Sequence, residues 1–147
     1  MTSYTELLSS LKRHPDHSVD AHIPETWMQG RTTYGGLTAA LSLQGAMELV
    51  DDIPIRSAQV AFVGPVGGDI KITPKLLRRG KNTAFVSVDI TAESSVTAQS
   101  IFAFGKARES TLHFDDMPMP NVRPPEDIEP FLINVDHVRA SRKTLIC

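Results

Sequence analysis

The sequence predicts an α+β fold in which a curved antiparallel sheet wraps around one long helix. Three observations lead to this prediction. The stretch Leu37–Val50 carries apolar side chains in nearly every direction around a helical turn. The segments that follow it alternate apolar and polar residues with the period of strands, and short turns join them. A helix that is apolar all round must be buried, and short turns favour antiparallel pairing.

Composition limits the classes of function. The chain has 147 residues, with 15 Lys and Arg against 17 Asp and Glu, for a formal charge of −2. This size fits one domain, and 41% apolar residues can build its core. The near-neutral charge argues against nucleic acid as a partner. There is no membrane-spanning apolar run and no apolar secretory core at the N-terminus, so we expect a soluble cytoplasmic protein without a membrane partner.

The N-terminal segment predicts a short helix and then a strand. Ser3 and Glu6 have the spacing of a capping box, and apolar residues recur at helical intervals up to Lys12 and Arg13. After a turn, the segment 18–23 alternates as a half-buried strand does, with Val19, Ala21 and Ile23 on one face. Pro24 ends this strand.

The central helix is expected to run to Val50, where Asp51, Asp52 and Pro54 stop it. Four extended runs follow. Turn residues separate them, among them Gly64-Pro65 and Gly80-Lys81-Asn82. The alternation assigns one face of the sheet to Ala58, Val60 and Phe62, to Ile70 and Ile72, to Ala84, Val86, Val88 and Ile90, and to Val96, Ala98, Ser100, Phe102 and Phe104.

The C-terminal part differs in composition. Residues 1–114 are expected to form one domain with the short N-terminal helix. Residues 115–147 are expected to form a proline-rich connection, followed by a strand over Phe131–Val138 and a tail. The single cysteine, Cys147, has no partner for a disulfide within this chain.

Several motifs resemble the TesB-like, type II acyl-CoA thioesterases, which adopt the hotdog fold. The motifs are Thr33-Tyr34-Gly35-Gly36 at the helix start, the strand ending in Phe-Val-Gly-Pro, and the run Leu-Arg-Arg-Gly-Lys-Asn-Thr. The resemblance covers roughly Val19–Lys106. Members of this group usually carry two hotdog units in one chain, and this sequence matches the N-terminal unit and the connection.

The resemblance does not supply a general base. The residues credited with activating water in TesB-like enzymes lie in the second unit, so none can be carried over. In single-unit hotdog thioesterases the comparable acid falls near Leu43, which is apolar. Glu48 is the only acid well inside the predicted helix, but it points about a third of a turn away from Gly36. The identity of the general base therefore stays open.

The start of the central helix is the candidate catalytic feature. Thioester hydrolysis needs donors for a developing oxyanion, and the free backbone N–H groups of Gly35 and Gly36 at the positive helix end suit this role. The alternative interpretation is that both glycines only allow close packing of the helix on the sheet. Sequence leaves these two interpretations about equally supported.

Candidate substrate-binding residues lie on both sides of this helix. Arg78, Arg79 and Lys81 flank a turn and could hold the phosphates of coenzyme A, although a charged turn is more often just solvated. Tyr34 and Gln29 precede the helix and are candidates for contacting substrate. We expect Trp27 to be a hydrophobic plug.

Histidine and metal chemistry receive less support. Asp20 and His22 project to the same side of a strand, so His22 is a candidate general base. An exposed histidine on a strand, without a catalytic role, is the better explanation of this residue. The spacing of His14, His113 and His137 fits no metal site. We expect no metal and no other cofactor.

The resemblance implies an enzyme of fatty acid metabolism that hydrolyses acyl-CoA to free acid and coenzyme A. The alternative is a half-unit that binds acyl-CoA without turnover, which the apolar Leu43 favours. Hotdog proteins generally pair edge to edge with sites at the junction, so the resemblance implies a homodimer or tetramer.

Overall fold

The computed structural model describes residues 2–114 and 116–128. By its internal contacts the chain divides into two units, Met1–Ala107 and Arg108–Cys147. The domain boundary at residue 114 stays a prediction. In the second unit the described segment holds one 3₁₀ turn, Pro125–Asp127. The predicted strand Phe131–Val138 lies outside the described residues.

The described residues of the first unit form a six-stranded sheet, a two-stranded hairpin, two helices and the 3₁₀ turn Glu25–Trp27. Helix α1 is Tyr4–Ser9 and helix α2 is Gly35–Met47. The strands are β1 Lys12–Arg13, β2 Val19–Ile23, β3 Met28–Gln29, β4 Thr32–Thr33, β5 Ile55–Phe62, β6 Gly68–Arg79, β7 Thr83–Ala92 and β8 Ser95–Gly105. In the described residues no helix is both long enough and apolar enough to cross a bilayer.

All pairings in the sheet are antiparallel, as the short turns predict. Six strands lie in the order β1-β2-β6-β7-β8-β5, and β3 pairs with β4 in a separate hairpin. Helix α2 packs mainly on the three central strands β6, β7 and β8. The alternation predicted for β7 is confirmed, because Ala84, Val86, Val88 and Ile90 are all buried, as expected for the face of the sheet that packs on α2.

Pro74 lies inside β6, a position that proline usually avoids because it cannot donate to the ladder. Strand β2 pairs with β6 only as far as Ile72, so one side of β6 is unpaired at Pro74. The missing N–H therefore costs no hydrogen bond to β2.

The capping box of α1 is confirmed. The Ser3 N–H donates to the Glu6 carboxylate, and the Glu6 N–H donates to the Ser3 hydroxyl. Hydrogen bonding of the Glu6 carboxyl to Ser3, mainly to its backbone N–H, lowers the pKa of that carboxyl. The predicted extent of this helix is wrong, because it ends at Ser9. Lys12 and Arg13 instead pair with Val19 and Asp20 as β1, which satisfies backbone groups that a frayed helix end would leave exposed.

Helix α2 also differs from its prediction. It ends at Met47 rather than Val50, because Glu48 and Leu49 donate to carbonyls three residues back in a tighter turn. The sheet covers only one of its faces, formed by Leu37, Thr38, Leu41, Ser42, Gly45 and Ala46. The opposite face is only partly covered, and Met47 on it is exposed.

Two predicted strand faces need correction. Ala58 and Phe62 are exposed, because β5 is an edge strand that lies beyond the strands covered by α2. Val96 is 43% exposed although Ala98, Ser100, Phe102 and Phe104 are buried as predicted. The cause is a bulge, since Thr91 pairs with Val96 while Ile90 pairs with Ala98.

Candidate functional site

The start of α2 leaves two backbone donors unused. Tyr34 precedes the helix with φ −56° and ψ 129° and supplies no side-chain cap. The N–H groups of Leu37 and Thr38 both donate to the Tyr34 carbonyl. Within the described residues, no backbone acceptor lies opposite the N–H groups of Gly35 and Gly36. Both groups therefore point outward at the positive end of the helix dipole.

A cavity of about 520 Å³ opens at this helix start. Its lining combines the β3–β4 hairpin, the first turn of α2 and the chain that leads from β5 to β6. The lining residues are Gln29, Arg31, Thr32, Thr33, Gly35, Thr38, Phe62, Val63, Gly64, Pro65 and Val66. A small acyl group fits a space of this size.

The two glycines occupy different surroundings. Gly35 lines the cavity, and a Cβ added to it would lie 3.3 Å from the ring of Phe62. Gly36 does not line this cavity, and the ring of Tyr34 folds over it so closely that a Cβ there would overlap the ring. Tyr34 itself is 46% exposed, so its ring has room to move.

The structure brings only some of the predicted binding residues together. Gln29 lines the cavity beside Gly35. Arg78, Arg79 and Lys81 lie at the other end of α2, because Asp52, just after that helix, accepts two hydrogen bonds of 2.6 Å from Arg79. The 13 residues of α2 span about 20 Å. One chain alone therefore does not unite the two groups.

The pair Asp52–Arg79 fixes the turn that follows α2. The hydrogen bonds from Arg79 lower the pKa of the Asp52 carboxyl. Both side chains are partly exposed, so the pair stabilises the fold only weakly. Arg79 thus has a carboxylate partner, whereas neither Arg78 nor Lys81 forms an ion pair with any described residue.

Neither helix position considered for a general base supplies one. Leu43 is half-buried and lines a mostly apolar cavity of about 450 Å³ with Met47, Ile55 and Phe104, whose lining also includes Asp51 and Asp52. Glu48 lies just past the end of α2 and forms an ion pair of 2.6 Å with Arg13. The cavity at the helix start is lined by no acid and no histidine.

The proposed closeness of Asp20 and His22 does not produce a contact between them. His22 Nδ1 lies 2.7 Å from Asp69, and Asp20 lies 2.8 Å from His14 Nε2. Asp20, His22 and Asp69 line a larger cavity of about 800 Å³, to which no residue of α2 contributes. In residues 2–114 and 116–128, no three His, Cys, Asp or Glu side chains are grouped to hold a metal ion.

Two cavity residues were not singled out from the sequence. Arg31 lies in the tight β3–β4 turn, and Thr38 faces the cavity from the first turn of α2. Strands of two residues give no periodic signal, so the hairpin was not predicted. Trp27, expected to be a plug, packs against the core and donates from Nε1 to the Thr2 carbonyl at 2.9 Å.

Comparison with known proteins agrees with this architecture. Residues 23–105 match the family profile described as "Acyl-CoA thioesterase N-terminal domain". A search of curated protein sequences found no match.

Several solved structures share the hotdog fold. A conserved hot dog fold protein of unknown function from Alicyclobacillus acidocaldarius matches with a TM-score of 0.74 and 22% identity, over 92% of this chain and 51% of its own. The acyl-CoA thioesterase II TesB2 of Mycobacterium marinum matches with a TM-score of 0.66 and 20% identity, and the match covers 84% of this chain and 46% of that one. This chain thus spans about half the length of both.

A Bacillus halodurans protein solved with CoA also matches. Its TM-score is 0.61 at 16% identity, and the match covers 71% of this chain and 76% of that one.

Proposed function

Because the chain belongs to the family of acyl-CoA thioesterase N-terminal domains, we propose that it hydrolyses acyl-CoA thioesters to free acid and coenzyme A. The observation that supports this most directly is the start of α2, where Gly35, whose N–H group has no backbone acceptor among the described residues, lines a cavity, and Gly36 with a second free N–H group follows it under the partly exposed ring of Tyr34. A thioester carbonyl that enters the cavity would direct its oxygen at these donors and at the positive helix end.

In the proposed reaction, a water oxygen attacks the carbonyl carbon of the thioester. The carbonyl electron pair moves onto oxygen, and the N–H groups of Gly35 and Gly36 donate to the resulting oxyanion. When the carbonyl re-forms, the carbon–sulfur bond breaks and coenzyme A leaves as a thiolate. The thiolate takes up the proton that water loses through a base. Removal of one such donor typically lowers kcat by about 10² to 10³.

The base must come from outside the cavity lining described here, because that lining includes no acid and no histidine. We propose that a second hotdog unit supplies it. Among the described residues, one edge of β5 has no strand beside it, and this is the surface where such a unit can continue the sheet, since an exposed edge is a template for pairing.

We further propose that the second unit is another copy of this chain. In antiparallel pairing of two β5 edges, Ile55 of one copy lies opposite the Phe62 end of the other. Ile55 lies in one row across the sheet with Phe104, Ala84 and Arg79. Such a dimer would place Arg78 and Lys81 of one copy toward the same end of the junction as the other copy's cavity, about four strand spacings or ~19 Å away. The long pantetheine arm of coenzyme A would have to cover this distance.

The test is the release of free thiol from a panel of acyl-CoA esters of increasing chain length. We expect turnover by the wild-type chain and a loss of about 100-fold or more in Gly35→Val, whose side chain fills the space before the donors. Thr5→Val introduces the same apolar side chain on the exposed surface of α1, where it replaces a hydroxyl by a methyl group, and should retain full activity.

Melting temperature serves as the folding control. If Gly35→Val unfolds, Gly35 has a packing role instead. If no ester is hydrolysed by the wild-type chain but acyl-CoA raises its melting temperature, the chain is a binding unit without turnover.

A further inference from the structure

The cavity at the start of α2 has a single charged residue in its lining, Arg31. This side chain forms no ion pair with any described residue. Arg31 also borders a neighbouring cavity of about 550 Å³, but that cavity includes the acids Asp69 and Glu93. An anion is therefore favoured in the first cavity and opposed in the second.

The hairpin holds the backbone of Arg31 in place. Gly30, immediately before it, has a φ of +69°, which lets the two-residue turn close between β3 and β4. The hairpin is tied to the chain between β5 and β6, because Thr33 donates to the Val66 carbonyl and Val66 donates to the Thr32 hydroxyl. Arg31 thus extends from a fixed position at the cavity.

Thr38 provides a second polar group at the cavity. It is only 1% exposed, yet it lines the cavity opposite the hairpin. Among the hydrogen bonds of the described residues, none involves its hydroxyl. A ligand oxygen in the cavity would give this hydroxyl a hydrogen-bond partner.

The position of Arg31 restricts which anion it can meet. Gly35 and Arg31 line the same cavity and are four residues apart in sequence. The phosphates of coenzyme A are separated from the sulfur by the whole pantetheine arm. If the thioester carbonyl lies at Gly35, the anionic group beside Arg31 therefore belongs to the acyl part of the substrate.

We propose that Arg31, assisted by the Thr38 hydroxyl, binds a carboxylate at the end of a short acyl chain, so that dicarboxylic acyl-CoA monothioesters are the preferred substrates. This inference rests on the proposed thioesterase function and specifies its substrate class. A guanidinium binds a carboxylate through paired hydrogen bonds, which gives both strength and orientation.

The test compares succinyl-CoA with butyryl-CoA, which have four-carbon acyl chains that end in a carboxylate and a methyl group. The wild-type chain should show the higher kcat/KM with succinyl-CoA. Arg31→Gln should lower kcat/KM for succinyl-CoA by about 10- to 100-fold, the range for a hydrogen bond to a charged group, and leave butyryl-CoA within about twofold. Thr38→Val should give a smaller loss, again with succinyl-CoA only.

Lys75→Gln is the matched control, because it removes one positive charge from an exposed position of β6 outside the cavity. This variant should change kcat/KM for neither substrate. An equal loss for both esters in Arg31→Gln would mean that Arg31 holds a phosphate of coenzyme A, which overturns the proposal. Hydrolysis of butyryl-CoA in preference to succinyl-CoA by the wild-type chain overturns it as well but leaves the thioesterase function intact.

Calorimetric binding separates this inference from the proposed function. If no ester is hydrolysed, tighter binding of succinyl-CoA than of butyryl-CoA, lost in Arg31→Gln, still supports the role of Arg31. Equal affinities for the two esters would overturn it.

Discussion

At the scale of single residues, the glycines of α2 have separate roles. Gly45 faces the sheet, where a Cβ would lie 2.5 Å from Cγ2 of the fully buried Ile72. Gly36 faces the partly exposed ring of Tyr34, which can move aside. The packing role that the sequence left open for the glycine pair therefore has its best-supported example at Gly45, which the sequence analysis did not consider.

We expect Gly45→Ala to lower the free energy of unfolding by about 1 to 3 kcal/mol, because overpacking outweighs the gain in helix propensity. Urea unfolding measures this change. Gln44→Ala, on the partly covered side of the same helix, is the control and should stay close to the wild type. A Gly45→Ala variant as stable as the wild type would show that α2 can shift away from the sheet.

At the scale of elements, the bulge in β8 changes which side chains reach the core. Val96 turns outward, and Thr97 takes a buried position from which its hydroxyl donates to the Ile90 carbonyl at 3.1 Å. A pattern of strict alternation cannot reveal the bulge, because the residues on its C-terminal side, such as Ala98 and Phe102, keep their period. Only the pairing with β7 shows where the extra residue lies.

Thr97→Val should destabilise the chain by about 1 to 3 kcal/mol, since it leaves the buried Ile90 carbonyl without its donor. Thr91→Val is a suitable comparison. The Thr91 hydroxyl donates to the Lys71 carbonyl at 3.4 Å in an exposed position, so water can take the place of this donor when the hydroxyl is removed. The free energies of unfolding of both variants decide the matter, and equal values would mean that the Thr97 hydroxyl contributes nothing to the bulge.

At the scale of the whole molecule, the partly covered face of α2 and the unpaired edge of β5 lie on the same side of the first unit. Leu43 and Met47 of the helix line one mostly apolar cavity with Ile55 of the strand. A second copy that continues the sheet at β5 would cover this apolar surface, which is why we expect a dimer.

Light scattering of the purified chain should therefore give at least twice the mass of one chain. Ala58→Asp introduces a negative charge near the middle of β5, so in a symmetric junction two like charges would meet and the mass should fall to that of one chain. Thr5→Asp makes the same charge change on exposed α1 and should leave the mass unchanged. A wild-type chain that is monomeric would contradict the edge-to-edge arrangement.

The amino-acid sequence by itself determined the antiparallel sheet, the buried face of β7 and the capping box at Ser3, because each follows from local period or spacing. It also pointed to Gly35 through the unprotected helix start. The tertiary structure alone decided that Arg31 and Thr38 share a cavity with Gly35, and that Arg79 lies a helix length away. These relations depend on how distant segments pack, and no pattern within one segment records them.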